Sequence, residues 1–265
     1  MITAILYALL VIAVLGALLG VGLAIADKKF AVEKDSRLEA LEAAMPGANC
    51  GGCGFAGCSA YAEAVFNGTA QPGLCSPGGN DLAFRMGQIM GVEVQAMEKQ
   101  VAYVFCKGGC NKTTKDYDYS GLMDCNAASL LFKGDNACKE GCIHLGSCLK
   151  VCPSNAIFKT EEGDIVVDPE LCTGCGSCTK VCPNGVIKLI PASAPYVVAC
   201  NNHEKGPEVR KKCTEGCIGC KLCQIKVPEG GFTVTNFLSV SDYKAPAEEA
   251  VKAAQLCPRK IIRKH

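Results

Sequence analysis

The chain opens with a long stretch in which polar positions are almost absent. Residues 1–26 read MITAILYALLVIAVLGALLGVGLAIA and carry no charged side chain. At about 1.5 Å per residue, a helix of that length would cross a hydrocarbon core of about 30 Å. The pattern predicts a transmembrane anchor. A cleaved signal peptide fits less well, because the start is not basic and the apolar run exceeds the usual ~7–15 residues.

Basic side chains return directly after this run, at Lys28, Lys29 and Arg37, and none precedes it. The positive-inside tendency then predicts a single-pass protein of the inner (cytoplasmic) membrane, in contact with lipid, with its C-terminal domains in the cytoplasm. Because that compartment is reducing, thiols there are expected as metal ligands rather than disulfides.

Shorter patterns follow and mix helix with strand. Residues 28–45 predict a charged linker helix, SAYAEAVFNG a short helix, and DLAFRMGQIM a helix with an apolar stripe that extends to Met97. VAYVF predicts a strand, while IFKTEEGDIVVD and GFTVTNFLSVSD each predict a hairpin. The fold class is therefore α+β. The expected domains are an anchor (1–26), a linker helix (27–45), a four-cysteine domain (46–100) and two modules (101–190 and 191–265).

Composition narrows the chemistry. The 265 residues include 21 cysteines, and the net charge of +1 gives no reason to expect nucleic acid as a partner. Cysteine this dense indicates a disulfide scaffold, a zinc protein or an iron–sulfur protein. Residues 172–183, CTGCGSCTKVCP, match C-x2-C-x2-C-x3-C-P in full, which is typical of [4Fe–4S] binding.

This motif resembles the bacterial two-cluster ferredoxins. The resemblance implies that Cys152 completes one cluster with Cys172, Cys175 and Cys178. It also implies that Cys182 completes a second cluster with Cys142 and Cys148.

The run CIHLGSC has Leu145 where a middle cysteine is expected. Cys138 is the nearest replacement ligand, and Cys110 is the alternative if Cys138 belongs elsewhere. We expect His144, alone in a loop, to be a solvated side chain.

A shift of 75 residues superimposes two copies of this pattern without a gap. Cys125 falls on Cys200, Cys138 on Cys213, and Cys182 on Cys257. The second copy keeps one complete ligand set, formed by Cys217, Cys220, Cys223 and Cys257. At the positions equivalent to Cys152, Cys172, Cys175 and Cys178, the second copy has Val227, Ala247, Ala250 and Ala253. The module is thus duplicated, and its second copy has lost one cluster.

The N-terminal spacing C-x2-C-x4-C-x16-C predicts one more cluster, held by Cys50, Cys53, Cys58 and Cys75. A zinc knuckle is the alternative. Cys106, Cys110, Cys125, Cys200 and Cys213 remain. Four of them could hold a fifth cluster between the modules, or all five could be buried structural thiols.

The apolar start, PGANCGGCGFAGC with its remote cysteine, and the modules together resemble the B subunit of the Rnf complex, an ion-translocating ferredoxin:NAD⁺ oxidoreductase. The resemblance implies a chain that carries electrons only, within that enzyme complex. Counting the ligand sets in this sequence predicts about five [4Fe–4S] clusters. Soluble reduced ferredoxin would donate electrons, and the other Rnf subunits would reduce NAD⁺ and move Na⁺ or H⁺. This chain has no G-x-G-x-x-G motif after a strand, so the nicotinamide is expected on another subunit.

Two other functions stay open at this point. One is a polyferredoxin of another oxidoreductase complex, such as a hydrogenase. The other is a zinc-stabilised scaffold without a redox role.

Overall fold

The computed structural model describes residues 2–30, 35–96, 98–109 and 111–265, so that Met97 and Cys110 lie outside it. The α-helices within these ranges are α1 Ile2–Phe30, α2 Ser36–Ala44, α3 Cys58–Phe66, α4 Gly79–Met90, α5 Cys125–Ser129, α6 Ser147–Lys150, α7 Ser177–Val181, α8 Gly206–Lys212, α9 Leu222–Lys226 and α10 Ala247–Leu256. The strands are β1 Gln100–Val104, β2 Ile157–Lys159, β3 Ile165–Val167, β4 Ile187–Pro191, β5 Tyr196–Val198, β6 Phe232–Thr235, β7 Leu238–Ser241 and β8 Ile262–Lys264.

The first helix corrects one expectation. Apolar side chains of α1 such as Leu18 and Leu23 are exposed. Over the described ranges, however, no helix has both the length and the apolar character that crossing a membrane requires. This finding contradicts the predicted single-pass anchor over 1–26 and the predicted inner-membrane location, and the expected lipid contact loses its support. The prediction rested on the absence of charge, which does not by itself supply the continuous apolar length that a bilayer demands.

Helices α2, α3 and α4 pack around one small core in the four-cysteine domain. Asp35 caps α2 by accepting a hydrogen bond from the backbone N–H of Arg37. Leu41 of α2, Tyr61 of α3 and Met86 of α4 are almost fully buried together. Residues 36–44 of the expected linker helix are therefore part of this domain's core.

Module 1 (101–190) places its first strand beside its last and a hairpin between them. Strand β1 pairs antiparallel with β4, with Val101 opposite Ile190, and β2 pairs antiparallel with β3. The inward side chains form one core with the cysteines of this module. Because the hairpin and the terminal strands share that core, they fix the loops that carry the thiols.

Module 2 (191–265) repeats this pairing, with β5 beside β8 and the hairpin β6–β7. The strand ends also match: the N–H of Phe105 donates to Val186 O at 2.7 Å, and that of Ala199 donates to Ile261 O at 2.9 Å. Cys106 follows Phe105, and Cys200 follows Ala199. The N–H of each cysteine donates back to the last residue of its strand, so the two cysteines occupy equivalent places. The 75-residue shift instead pairs Cys200 with Cys125.

The modules differ where the second copy has lost its cysteines. Residues 247–256 form α10, and its Ala250 and Ala253 are buried together with Val227 and Phe232. Alanine favours helix, so the composition of this segment predicts the element correctly. In module 2, these apolar side chains fill the space that the cysteines at the equivalent positions line in module 1.

Candidate iron–sulfur sites

Three cysteine loops share one backbone geometry. Each has two residues with positive φ between its first and last cysteine: His144 and Gly146, Gly174 and Gly176, Gly219 and Lys221. Alternation of left-handed residues turns successive N–H groups inward, which is how loops cradle an anionic group. The loop of residues 142–148 keeps this shape although Leu145 replaces its middle cysteine.

Site 4 contains Cys217, Cys220, Cys223 and Cys257, the four cysteines predicted for module 2. They line one pocket between the loop and the strand end at Ile262. Cys220 is exposed, whereas Cys217 and Cys223 are buried. One edge of this site therefore meets solvent.

Site 2 contains Cys125, Cys142, Cys148 and Cys182, which line one pocket. The sequence favours Cys138 for the vacant ligand position, but Cys138 lies at a different cavity. Cys125 reaches site 2 at the start of α5, where its N–H donates to Ser147 Oγ at 2.7 Å. Ser147 Oγ donates in turn to Asp124 Oδ2, the carboxylate that also caps α5.

Site 3 is the set that the sequence predicts, Cys152, Cys172, Cys175 and Cys178. Cys178 interacts electrostatically with Cys172 and Cys175, and burial raises the pKa of its thiol to about 12. The N–H of Ala102 donates to Cys172 Sγ at 3.4 Å, and the N–H of Ala156 donates to Cys152 Sγ at 3.3 Å. Cys178 is also within electrostatic range of Cys148, so sites 2 and 3 are neighbours.

Site 1 contains Cys50, Cys53, Cys58 and Cys75, and the Cys75 thiol interacts with the other three. Burial raises the pKa of that thiol. Tyr61 fixes the segment leading to Cys75, since its hydroxyl donates to Gln71 O at 2.9 Å and accepts from the Leu74 N–H at 3.1 Å.

Site 1 also packs on module 1. A Cβ at Gly52 would collide with the carbonyl oxygen of Cys175. Lys180 donates to Gly51 O at 3.1 Å, so the loops of sites 1 and 3 are in direct contact.

A fifth group of cysteines lies between the modules. Site 5 contains Cys106, Cys138, Cys200 and Cys213, which line one pocket. Burial raises the pKa of the Cys106 thiol to about 11 and that of Cys200 to about 12. A neutral buried thiol is the preferred form in such surroundings unless a metal replaces the proton.

Backbone donors surround these sulfurs. Asn202 N–H donates to Cys200 Sγ at 3.5 Å, Glu215 N–H to Cys213 Sγ at 3.4 Å, and His144 N–H to Cys142 Sγ at 3.4 Å. Donors of this kind favour the thiolate form and tune iron–sulfur potentials. The donor set and the glycine-lined space therefore fit [4Fe–4S] ligation.

Other candidates lie elsewhere. His144 is buried rather than solvated, its ring nitrogens have no hydrogen-bond partner, and it lines none of the three cavities described above.

Every cysteine in the described ranges is free of disulfide. Within those ranges, no three His, Cys, Asp or Glu side chains are arranged to hold a single metal ion.

Family models match two parts of the chain. The FeS model, for an Fe–S cluster domain, covers residues 45–77, around site 1. A model for a 4Fe-4S dicluster domain covers residues 137–186, which contain all of site 3 and three cysteines of site 2.

Several relatives match almost the whole chain. The B subunit of the ion-translocating oxidoreductase complex of Methanosarcina acetivorans is 42% identical over 95% of this chain and 95% of that protein. The B subunit of the Na⁺-translocating ferredoxin:NAD⁺ oxidoreductase complex of Acetobacterium woodii is 38% identical, over 99% of this chain and 78% of that protein. The B subunit of the proton-translocating ferredoxin:NAD⁺ oxidoreductase complex of Clostridium ljungdahlii is 39% identical, over 96% of this chain and 90% of that protein. The chain therefore belongs to the family of B subunits of ion-translocating ferredoxin:NAD⁺ oxidoreductase (Rnf) complexes.

Proposed function

We propose that this chain is the electron-transfer subunit of an ion-translocating ferredoxin:NAD⁺ oxidoreductase complex. It takes single electrons from reduced ferredoxin and passes them to partner subunits, which reduce NAD⁺ and translocate Na⁺ or H⁺. The observation that carries this proposal is the contiguity of the cysteine sites. Relatives with this complex named in full, in A. woodii and C. ljungdahlii, favour it over a polyferredoxin of a hydrogenase.

Bound [4Fe–4S] clusters would supply one-electron transfer at each site. The protein holds them through four thiols per site. We propose that sites 1, 3 and 4 use the cysteines expected from the sequence and that site 2 uses Cys125 in place of Cys138. About five clusters per chain follow from this assignment.

Contacts between neighbouring sites define a continuous path. Gly52 of site 1 meets Cys175 of site 3, and Cys178 of site 3 lies near Cys148 of site 2. At the far end, the N–H of Cys217 in site 4 donates to Cys200 Sγ at 3.4 Å. Burial of most of these thiols keeps water away from the path, while the peptide donors set the environment of each sulfur.

We place the ferredoxin contact at site 4. Cys220 is the exposed cysteine among those the structure describes. Lys221 and Lys226 beside it are also exposed, so this edge offers positive charge to an acidic protein. Electrons would then leave from site 1 toward the partner subunits.

The test begins with metal content. On the full chain purified without oxygen, we expect about 20 iron and about 20 acid-labile sulfide, with no zinc. Addition of reduced ferredoxin should then generate the electron paramagnetic resonance signals of reduced clusters. Zinc in place of iron would contradict electron transfer, and iron that reduced ferredoxin cannot reduce would exclude ferredoxin as the donor.

A further inference from the structure

The strand ends of the two modules face one another across site 5. Cys106 follows β1 of module 1, and Cys200 follows β5 of module 2, each with its N–H bonded to the second residue before it at 2.8 Å. Cys138 and Cys213, which the 75-residue shift superimposes, provide the other two sulfurs. Each module therefore contributes the same two positions to one cavity.

Donors surround three of these sulfurs. The backbone N–H of the residue two positions after the cysteine donates to Cys200 Sγ and to Cys213 Sγ, from Asn202 at 3.5 Å and from Glu215 at 3.4 Å. Cys138 Sγ accepts from Asn202 Nδ2. Structural thiols that only fill space do not require such donors, which are typical of metal-bound thiolates.

Both neighbouring sites adjoin these sulfurs. Cys142, the first cysteine of the site 2 loop, lies within electrostatic range of Cys106. The amide of Cys217, the first cysteine of the site 4 loop, bonds Cys200. Site 5 is thus the junction between the last site of module 1 and the site of module 2.

Space at site 5 is reserved by glycine. A Cβ at Gly141 would lie 3.3 Å from Cys138 Sγ and 3.5 Å from Cys106 Sγ. A Cβ at Gly108 would lie 3.5 Å from Cys213 Sγ and 3.6 Å from Cys106 Sγ, and would collide with Thr113. The two glycines therefore lie against three of the four sulfurs, those of Cys106, Cys138 and Cys213.

The side chain of Asn202 ties the two halves together. Its Nδ2 donates to Cys138 Sγ of module 1 at 3.2 Å, while its backbone N–H donates to Cys200 of module 2. Thr114 N–H donates to Lys212 O, and Thr214 N–H donates to Lys112 O, each at 2.9 Å. These bonds hold the two pairs of cysteines in register.

We propose that Cys106, Cys138, Cys200 and Cys213 together bind a [4Fe–4S] cluster that the two modules share. Neither module supplies more than two of its ligands. With this assignment five sites use 20 of the 21 cysteines, and Cys110 is the one that binds no cluster. The proposal rests on the proposed function, because it assumes the same cofactor at this site.

The experiment uses the full chain, purified without oxygen, and measures iron, sulfide and electron paramagnetic resonance. Cys106→Ala and Cys200→Ala should each lower iron by about one to four atoms per chain and remove the same spectral component. The double variant should lose at most about four iron atoms, the content of one cluster, because both residues belong to one site. Cys110→Ala, the matched control, should keep the wild-type iron content.

Three outcomes would overturn the shared site: unchanged iron in Cys106→Ala and Cys200→Ala, a loss of clearly more than about four iron atoms in the double variant, or loss of iron in Cys110→Ala. Signals from the other sites serve as the internal check of folding. If Cys106→Ala loses every signal, Asn202→Leu provides the second test: it removes one donor and should change only the site 5 signal. A wild-type chain without iron would refute the proposed function itself, a result distinct from all of these.

Discussion

Module 1 and module 2 have the same strand pairing but different numbers of cysteine sites. In module 1 the segment 172–178 is a loop that presents three thiols, while in module 2 the equivalent segment lies in α10 and presents buried alanines. The strands, the hairpin and the remaining loop are unaffected. The comparison teaches that a cluster site is a replaceable part of this fold, provided that packed side chains fill its space.

The modules differ in exposure as well. Site 3 is covered by the four-cysteine domain, which meets Cys175 through Gly52. Site 4 has Cys220 at the surface, beside exposed Leu222 and Ile225. One copy therefore receives an internal neighbour and the other is open to an external partner.

The largest effect should come from placing charge where α10 replaces the lost thiols. Ala253→Asp buries a carboxylate in a core position that is 0% exposed, among apolar side chains such as Val227 and Phe232. We expect a loss of about 3–5 kcal/mol in the free energy of unfolding. Chemical denaturation of the full chain, followed by far-ultraviolet circular dichroism, measures this loss.

Its control is Ala247→Asp, at the exposed first position of α10. A carboxylate there meets the helix N-terminus and should be neutral or mildly stabilising. Equal losses in both variants would mean that α10 does not act as a packed replacement for the site.

The next effect concerns the ligand that module 1 takes from a distant segment. Cys125→Ala should lower iron by about one to four atoms per chain, because site 2 then has three thiols. Adding Leu145→Cys places a thiol where module 2 has Cys220 and should restore the wild-type iron content.

Iron analysis and electron paramagnetic resonance measure both steps. Leu145→Cys alone should leave the iron content unchanged, since Cys125 already fills the position. Site 2 would not use Cys125 if Cys125→Ala kept all its iron, whatever the second substitution did.

The smallest effect concerns the loops. Lys221 adopts φ +61° at the position that Gly146 and Gly176 occupy in module 1. Lys221→Gly should stabilise module 2 by up to about 1 kcal/mol, because a side chain in the left-handed region is strained. Differential scanning calorimetry under nitrogen measures the shift.

Lys226→Gly is the matched change at the end of α9, where the backbone is helical and glycine should cost about 0.5–1 kcal/mol. If both substitutions destabilised the chain to the same extent, loop strain at Lys221 would not be the cause.

Local features of this molecule can be predicted from the sequence. The hairpins and α10 follow from alternation and composition over a few residues, and the three cysteines of the 172–178 loop and of the 217–223 loop can be grouped by their spacing. Cys257 can be assigned because the 75-residue shift superimposes it on Cys182. These assignments depend on neighbours in sequence or on an unbroken shift, both of which are visible in the letters.

Features that depend on distant contacts cannot be predicted in this way. Cys125 lies 17 residues before Cys142 and reaches site 2 only because Asp124 and Ser147 fix the start of α5. The gap-free 75-residue shift matches Cys125 to Cys200. In the structure, however, Cys200 is equivalent to Cys106, because each follows the first strand of its module. The burial of Leu41 is likewise hidden, since the charged residues around it resemble a solvated helix.

The shared site has a consequence for the history of the chain. Each module holds two of its four cysteines, at equivalent places. A half-site of this kind is what one module would present to a second copy of itself in a dimer. Two separate single-module chains could therefore have assembled the junction before their genes were fused. In such an ancestor, pairing and cofactor capture would have been the same event.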